Sequence, residues 1–278
     1  MSNCCGTSDN NPPTDSPCEA FGWFGDMVSH CIDYAAEVKA AGRPVVGIMC
    51  EYTPRELILA AGGVTTCLCG GSAEMVGTAE EDLPANLCPL IKSTYGYHTQ
   101  KANPFLETAD LLVAETTCDG KKKMYELMGQ TRRMHVLELP QKPDATEAMT
   151  HWKAEIRKLK EALEEIFTVE ITDAKLRNAI KLMNRQRSLK RQLAELMQAD
   201  APPLTGRQLL DFQSIIASIP GALEHYELAI EQMTDKSGPD EYANRVRVMM
   251  TGVPVPHGAH RVLDLIEDAR GPAVPREN

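Results

Sequence analysis

Residues 109–130 read ADLLVAETTCDGKKKMYELMGQ. An apolar run, LLVA, stops at ETT, and a helical pattern begins just after Cys118. A buried strand followed by a short joint and a helix is half of a parallel βαβ unit. In such sheets the working edge lies at the carboxyl ends of the strands, where helix N-termini point. Cys118 sits in that joint, and the positive end of a helix stabilises a thiolate. Lys121, Lys122 and Lys123 follow at once. Lysines in a first turn oppose the helix dipole, so they point to an anion nearby or else cover a solvated helix face.

The pattern repeats outward from this stretch. FGWFGDMVSHCIDYAAEVKAAG, from Phe21, reads as a helix, and PVVGIMC, from Pro44 to Cys50, as a buried strand. EYTPRELILAAGG has a helix start, with Thr53 as N-cap, Pro54 at the first helical position and Glu56 closing a capping box. VTTCLCGG, from Val64, reads as a second strand, SAEMVGTAEEDLP as a short helix or turn, and CPLIKSTYGYH as a helix opened by Pro89. MHVLELPQ, from Met134, gives a fourth strand. The expected fold is α/β: a Rossmann-like parallel sheet lobe over residues 19–143, after a polar tail of residues 1–18 expected to be disordered. No GxGxxG fingerprint follows the first strand, which argues against NAD or FAD.

Residues 144–243 change character. Met149, Trp152, Ile156, Leu159, Leu163 and Ile166 alternate steps of three and four, a helical stripe expected to be core. About four helices are expected in this block, with the basic face around Arg185–Arg191 solvated. Residues 244–278 return to strand and helix, RVRVMMTGVPVP then HGAHRVLDLIEDARG. They read as the start of a second α/β lobe, left incomplete.

The composition, 43% hydrophobic and 24% charged, is that of a globular protein. A formal charge of −10 argues against a nucleic-acid or anionic-membrane binder. No apolar run is long enough to cross a bilayer and no secretory leader is visible, so a cytoplasmic protein is expected. Nine cysteines in such a protein indicate metal binding, redox work or core filling rather than a disulfide framework. Cys4 and Cys5 fall in the tail, and Cys31 on a helix as a packing residue. Cys50, Cys67, Cys69, Cys88 and Cys118 all fall at the carboxyl edge of the expected sheet. The Cys67 and Cys69 thiols are expected to face opposite ways, so that one serves the site. The separations match neither zinc ribbons nor ferredoxin runs. They fit an incomplete thiolate metal site, with iron–sulfur favoured, or buried structural cysteines.

LPANLCPLIKSTYG and ETTCDGKKKMYELM resemble the two cysteine motifs of the 2-hydroxyacyl-CoA dehydratase and benzoyl-CoA reductase superfamily. CLCGGSAEM and TGVPVPHGAHRVLDLIE resemble its double-cubane cluster branch. The resemblance covers about residues 20–270. It implies Rossmann-like domains with helical additions and an iron–sulfur cluster, [4Fe–4S] or double-cubane [8Fe–9S]. It also implies an ATP-dependent iron–sulfur activator, a homodimer or a heterodimer with a family subunit, and a small-molecule or acyl-CoA substrate undergoing reduction or reductive dehydration. Carried over motif by motif, Cys88 and Cys118 are cluster ligands, with Cys67 the further metal ligand and Cys69 its competitor. Lys121 is expected beside the cluster, Lys92 and Ser93 near cluster or substrate, and Glu51, with Tyr52 and Glu115, in proton movement. Family members continue with further cysteine ligands, so the missing ligands are expected from a partner, from water or from substrate. The alternatives are a cluster-less scaffold or partner subunit, and a zinc or thiol-redox protein.

Overall fold

A computed structural model describes residues 19–49, 51–252, 255, 260–269 and 273–275. Cys4, Cys5 and Cys50 lie outside the described residues. Two helices, α1 (Ala20–Gly25) and α2 (Met27–Ala40), lead into β1 (Val45–Ile48). Then follow α3 (Arg55–Ala60), β2 (Val64–Cys67), α4 (Glu74–Ala79), α5 (Pro89–Thr99), α6 (Pro104–Thr108), β3 (Leu111–Glu115), α7 (Asp119–Met128) and β4 (Met134–Leu137). The four strands are parallel in the order β2-β1-β3-β4. The sheet is α/β as expected, and its direction of growth reverses between β1 and β3.

Strand alternation sorts the two cores. Val45, Met49, Leu112 and Ala114 face one core with α2, α5, α6 and α7. Val46, Ile48, Leu111, Val113 and Leu137 face the other with α3 and two long helices, α8 (Ala148–Phe167) and α9 (Asp173–Glu195). Two further helices, α10 (Gly206–Asp211) and α11 (Ala222–Met233), pack with α1 in the first core. Phe24 meets Phe212 and Tyr226 there at ring distances of 5.0 and 4.8 Å. The loop before α11 also closes the β2 edge: Thr66 bridges Ile216 antiparallel, and Cys67 N–H donates to the Ile215 carbonyl at 2.9 Å.

Several details differ from the sequence reading. Thr53 does not cap α3; its hydroxyl donates to Glu115 Oε1, and Pro54 takes the N-cap position. Asn103 caps α6, a helix the sequence reading did not include, by accepting from the Phe105 and Leu106 N–H groups. Met149 stands off the core at 62% exposure, while Leu159 and Leu163 are fully buried. Arg185 and Arg187 are exposed as expected, and they also pair with Glu227 and Glu56, which ties α9 to α11 and α3. Glu155, 3% exposed, accepts from the Glu138 N–H at 3.0 Å and from Lys158 at 2.6 Å, which fixes α8 against the end of β4. A separate parallel pair, β5 (Val248–Met250) and β6 (Ala273–Pro275), flanks α12 (Arg261–Asp268). The sequence reading had one strand there; the prolines around β6 hid the other.

Two positions test this packing. A Cβ at Gly96 of α5 would lie 2.0 Å from the Met75 carbonyl oxygen of α4, a backbone atom with little freedom to yield. Gly77 of α4 has nothing within 4 Å. Gly96→Ala is expected to cost about 1–3 kcal/mol, and Gly77→Ala to add roughly 0.5–1 kcal/mol; denaturant unfolding of both variants measures the contrast.

His98 supplies a pH test. Burial and the neighbouring Arg132 guanidinium, whose Nε–H donates to Nδ1 at 3.0 Å, push its pKa below the ordinary value. The folded chain therefore favours neutral imidazole, so this stability is present above about pH 6.5 and lost as pH falls through the depressed value. His98→Asn keeps an acceptor without titrating, and its unfolding midpoint is expected to fall less than the parent's between about pH 7 and 5.

Candidate metal and substrate site

Cys88 is the N-cap residue of α5, set by Pro89 at the first helical position. Cys118 is the N-cap residue of α7, in extended conformation at φ −156° and ψ 160°. Neither thiol makes a capping hydrogen bond, and both residues are exposed. The two helix starts touch. A Cβ at Gly120 would come within 2.7 Å of Leu87 Cδ1 and 2.9 Å of Ile91 Cδ1, on either side of Cys88 in sequence. Glycine in the first turn of α7 thus lets two positive helix ends, each carrying a cysteine, meet at the switch point of the sheet.

The CLCGG loop closes the same crevice. Gly70 N–H donates to Thr94 Oγ1 at 3.0 Å, and a Cβ at Gly70 would lie 2.6 Å from the Tyr97 ring and 3.1 Å from Ser93 Oγ. Cys69 Sγ and Lys121 Nζ both reach the Met49 carbonyl, at 3.6 and 3.5 Å. A cavity of about 10 Å³, room for about one water, lies among Met49, Cys69, Leu90, Ile91, Thr94, Lys121 and Met124.

Cys67 points to the other core, with Arg55 NH2 3.9 Å from its sulfur. Residues two apart on a strand share a face. The two thiols part because β2 ends at Cys67, not because of strand alternation. Burial pushes the Cys67 thiol pKa up, against the pull of Arg55. Arg55 also binds Glu51 at 2.8 Å, and Glu115, fully buried, accepts from Thr53 on the same side.

The structure thus brings Cys69, Cys88, Cys118 and Lys121 to one side of the crevice, and Cys67 and Glu51 to the other. Lys92 is 5% exposed and turns to Glu80 and the Ala85 carbonyl, both at 2.6 Å, where it fixes the loop that leads into Cys88. Ser93 is buried beside Gly70. The lysine run divides: Lys121 enters the crevice, while Lys122 pairs with Asp119 and Lys123 with Glu126 on the surface, each at 3.0 Å. Sequence reasoning missed Arg55 and Thr94, whose partners lie across the sheet edge. Among the described residues, no three His, Cys, Asp or Glu side chains are grouped to hold a metal ion. None of the described helices is long and apolar enough to cross a membrane.

The family model of the 2-hydroxyglutaryl-CoA dehydratase D-component matches residues 50–278, from the end of β1 through both cysteine-bearing helix starts. The chain belongs to this family. A protein of Escherichia coli K12 named as a dehydratase subunit, YjiM, is 38% identical over 250 residues, which cover 87% of this chain and 64% of the relative. Lactoyl-CoA dehydratase subunit beta of Anaerotignum propionicum is 28% identical over 170 residues, 61% of this chain and 44% of the relative. A benzoyl-CoA reductase subunit of Thauera aromatica is 28% identical over 178 residues, 59% and 45%. The chain spans less than two thirds of the length of these relatives.

Exposure orders the thiols. In the metal-free protein, Cys88 and Cys118 are expected to alkylate with iodoacetamide before Cys67, and the buried Cys31, whose thiol pKa burial also raises, last. Peptide mass spectrometry over a time course reads the order.

Proposed function

We propose that the chain is the cluster-holding subunit of a 2-hydroxyacyl-CoA dehydratase-type system, of the double-cubane kind, that carries out reduction or reductive dehydration of a small substrate or acyl-CoA. The observation that carries this reading is the meeting of Cys88 and Cys118 at two adjoining helix starts. Thiolates there suit iron in kind, because helix dipoles and Lys121 offset the negative charge of a thiolate-bound cluster. They fit in part by number. Cys88 and Cys118 would hold two corners, and Cys69 lies on their side of the crevice while Cys67 is shielded on the other. Remaining positions fall to a partner, water or substrate.

A bound cluster supplies one-electron transfer at low potential, and in this reading an ATP-dependent iron–sulfur activator delivers the electron. The residues of this chain orient and exclude. Lys92, through Glu80 and Ala85, holds the approach to Cys88 rigid. Gly70 lets the CLCGG loop lie close on α5, and the packed Met49, Leu90 and Met124 keep all but about one water from the crevice floor. Ser93 lies buried behind that loop; in this reading Glu51, more than half exposed beside Arg55, exchanges protons with solvent.

A second reading, a cluster-less family member, is favoured by the absence of a three-ligand group among the described residues. Iron and acid-labile sulfide on protein purified without oxygen separate the two. The cluster reading predicts about four iron per chain, or about eight for a double cubane, with most lost in Cys88→Ser and Cys118→Ser and none lost in Cys31→Ser. Iron-free protein after anaerobic reconstitution would support the second reading.

A further inference from the structure

The segment that delivers Cys88 to the crevice, residues 80–88, has little apolar packing of its own. Residues 80–82 and 84–86 are exposed, Leu83 is buried and Leu87 is half-buried. A stretch with so few buried contacts is easily displaced unless side chains from elsewhere hold it. Two side chains of α5 do so. Lys92 ties down Glu80 and the Ala85 carbonyl. Three residues on, along the same face of the helix, the Tyr95 hydroxyl donates to Asp82 Oδ2 at 2.9 Å. Tyr95 is 5% exposed, and burial together with the Asp82 carboxylate pushes its phenol pKa up to about 12. The hydroxyl therefore keeps its proton and donates throughout the physiological range. At the far end of the loop, Leu87 lies over Gly120 in the first turn of α7. One chain of contacts thus runs from Tyr95 through Asp82 and Leu87 to the helix that carries Cys118.

We propose that Tyr95 is a positioning residue for the two-thiol site: its hydrogen bond to Asp82 sets the reach of Cys88 toward Cys118. Tyr95 acts through the loop and not on either sulfur. It fixes the loop between the two points held by Lys92, so that the residues leading to Pro89 have one path. Without it, Leu83 alone secures the exposed middle of the loop. An outward bow there would draw Leu87 off Gly120 and carry Cys88 away from the α7 start. The inference deepens the reading of Cys88 and Cys118 as one site and rests on it, but it does not require that iron be bound.

Bridging of the two thiols by a short bis-maleimide, on the metal-free 278-residue chain, tests it. Peptide mass spectrometry counts the Cys88–Cys118 crosslink against singly labelled Cys88. The parent is expected to bridge. Tyr95→Phe removes one hydroxyl and keeps the buried ring. It is expected to lower the ratio of bridged to singly labelled Cys88 about fivefold, the factor that one net hydrogen bond carries, with single labelling of Cys118 unchanged. Asp82→Ala is expected to match it, and the double variant to lose no more, because the two groups act as one. Asp82→Asn keeps an acceptor for the hydroxyl and is expected to retain most of the bridging. Glu155→Gln loosens α8 on the other face of the sheet; it is expected to lower the unfolding midpoint without changing the crosslink, which separates positioning from a general loss of stability. Parental bridging in Tyr95→Phe would overturn the inference and leave the two-cysteine site standing. A parent that fails to bridge would overturn both. Iron content of the reconstituted parent judges the cluster reading separately.

Discussion

The approach of two helix N-termini at the switch point of the sheet is the constraint on which the rest of the site depends. The strand β1 pairs with β2 on one side and β3 on the other, so the helices that follow those outer strands reach the same crevice. Gly120 removes the side chain that would hold α7 away from Leu87 and Ile91. Two partial positive charges then face one volume, and each helix offers a cysteine to it. Lys121 turns into the crevice, where its Nζ donates to the Met49 carbonyl, while the other two lysines of the run pair with surface carboxylates. What looked in sequence like one block of positive charge is one residue at the site and two at the surface.

Around that contact, close backbone approach is used repeatedly. Gly96 admits α4, and Gly70 admits the loop after β2. The buried Lys92 joins the same unit by its ion pair with Glu80. A buried ammonium left without its carboxylate is costly, so this pair specifies one path for residues 80–88. The second core carries its own polar group at the strand ends, where Arg55 gathers Glu51 and the Cys67 sulfur and Thr53 serves the buried Glu115. The two cysteines of CLC thus serve different cores.

Much of the lobe was legible because β1 and the Leu111–Ala114 stretch of β3 are short apolar runs bounded by turn residues, and α5 opens on the local signature Cys88-Pro89. Parallel strands then dictate that the joints share one edge, which placed Cys88 and Cys118 together before any contact was known. What stayed hidden depends on partners far along the chain. Thr53 has a capping signature, yet a carboxylate on β3 draws its hydroxyl. Lys92, expected near cluster or substrate, is buried and held by a glutamate at the end of α4. Met149 completes a periodic stripe but sits where α8 begins, beyond the reach of the sheet. Whether Cys67 or Cys69 faces the crevice turns on the residue at which a strand ends, a boundary that periodicity does not define.

The central claim is that Cys88 and Cys118 bind the same iron-containing group. Crystallographic anomalous scattering at the iron edge, on anaerobically reconstituted protein, tests it directly. The account predicts an iron peak at the carboxyl edge of the sheet within bonding distance, about 2.3 Å, of both sulfurs. Iron bound elsewhere, or to only one of the two, would contradict it.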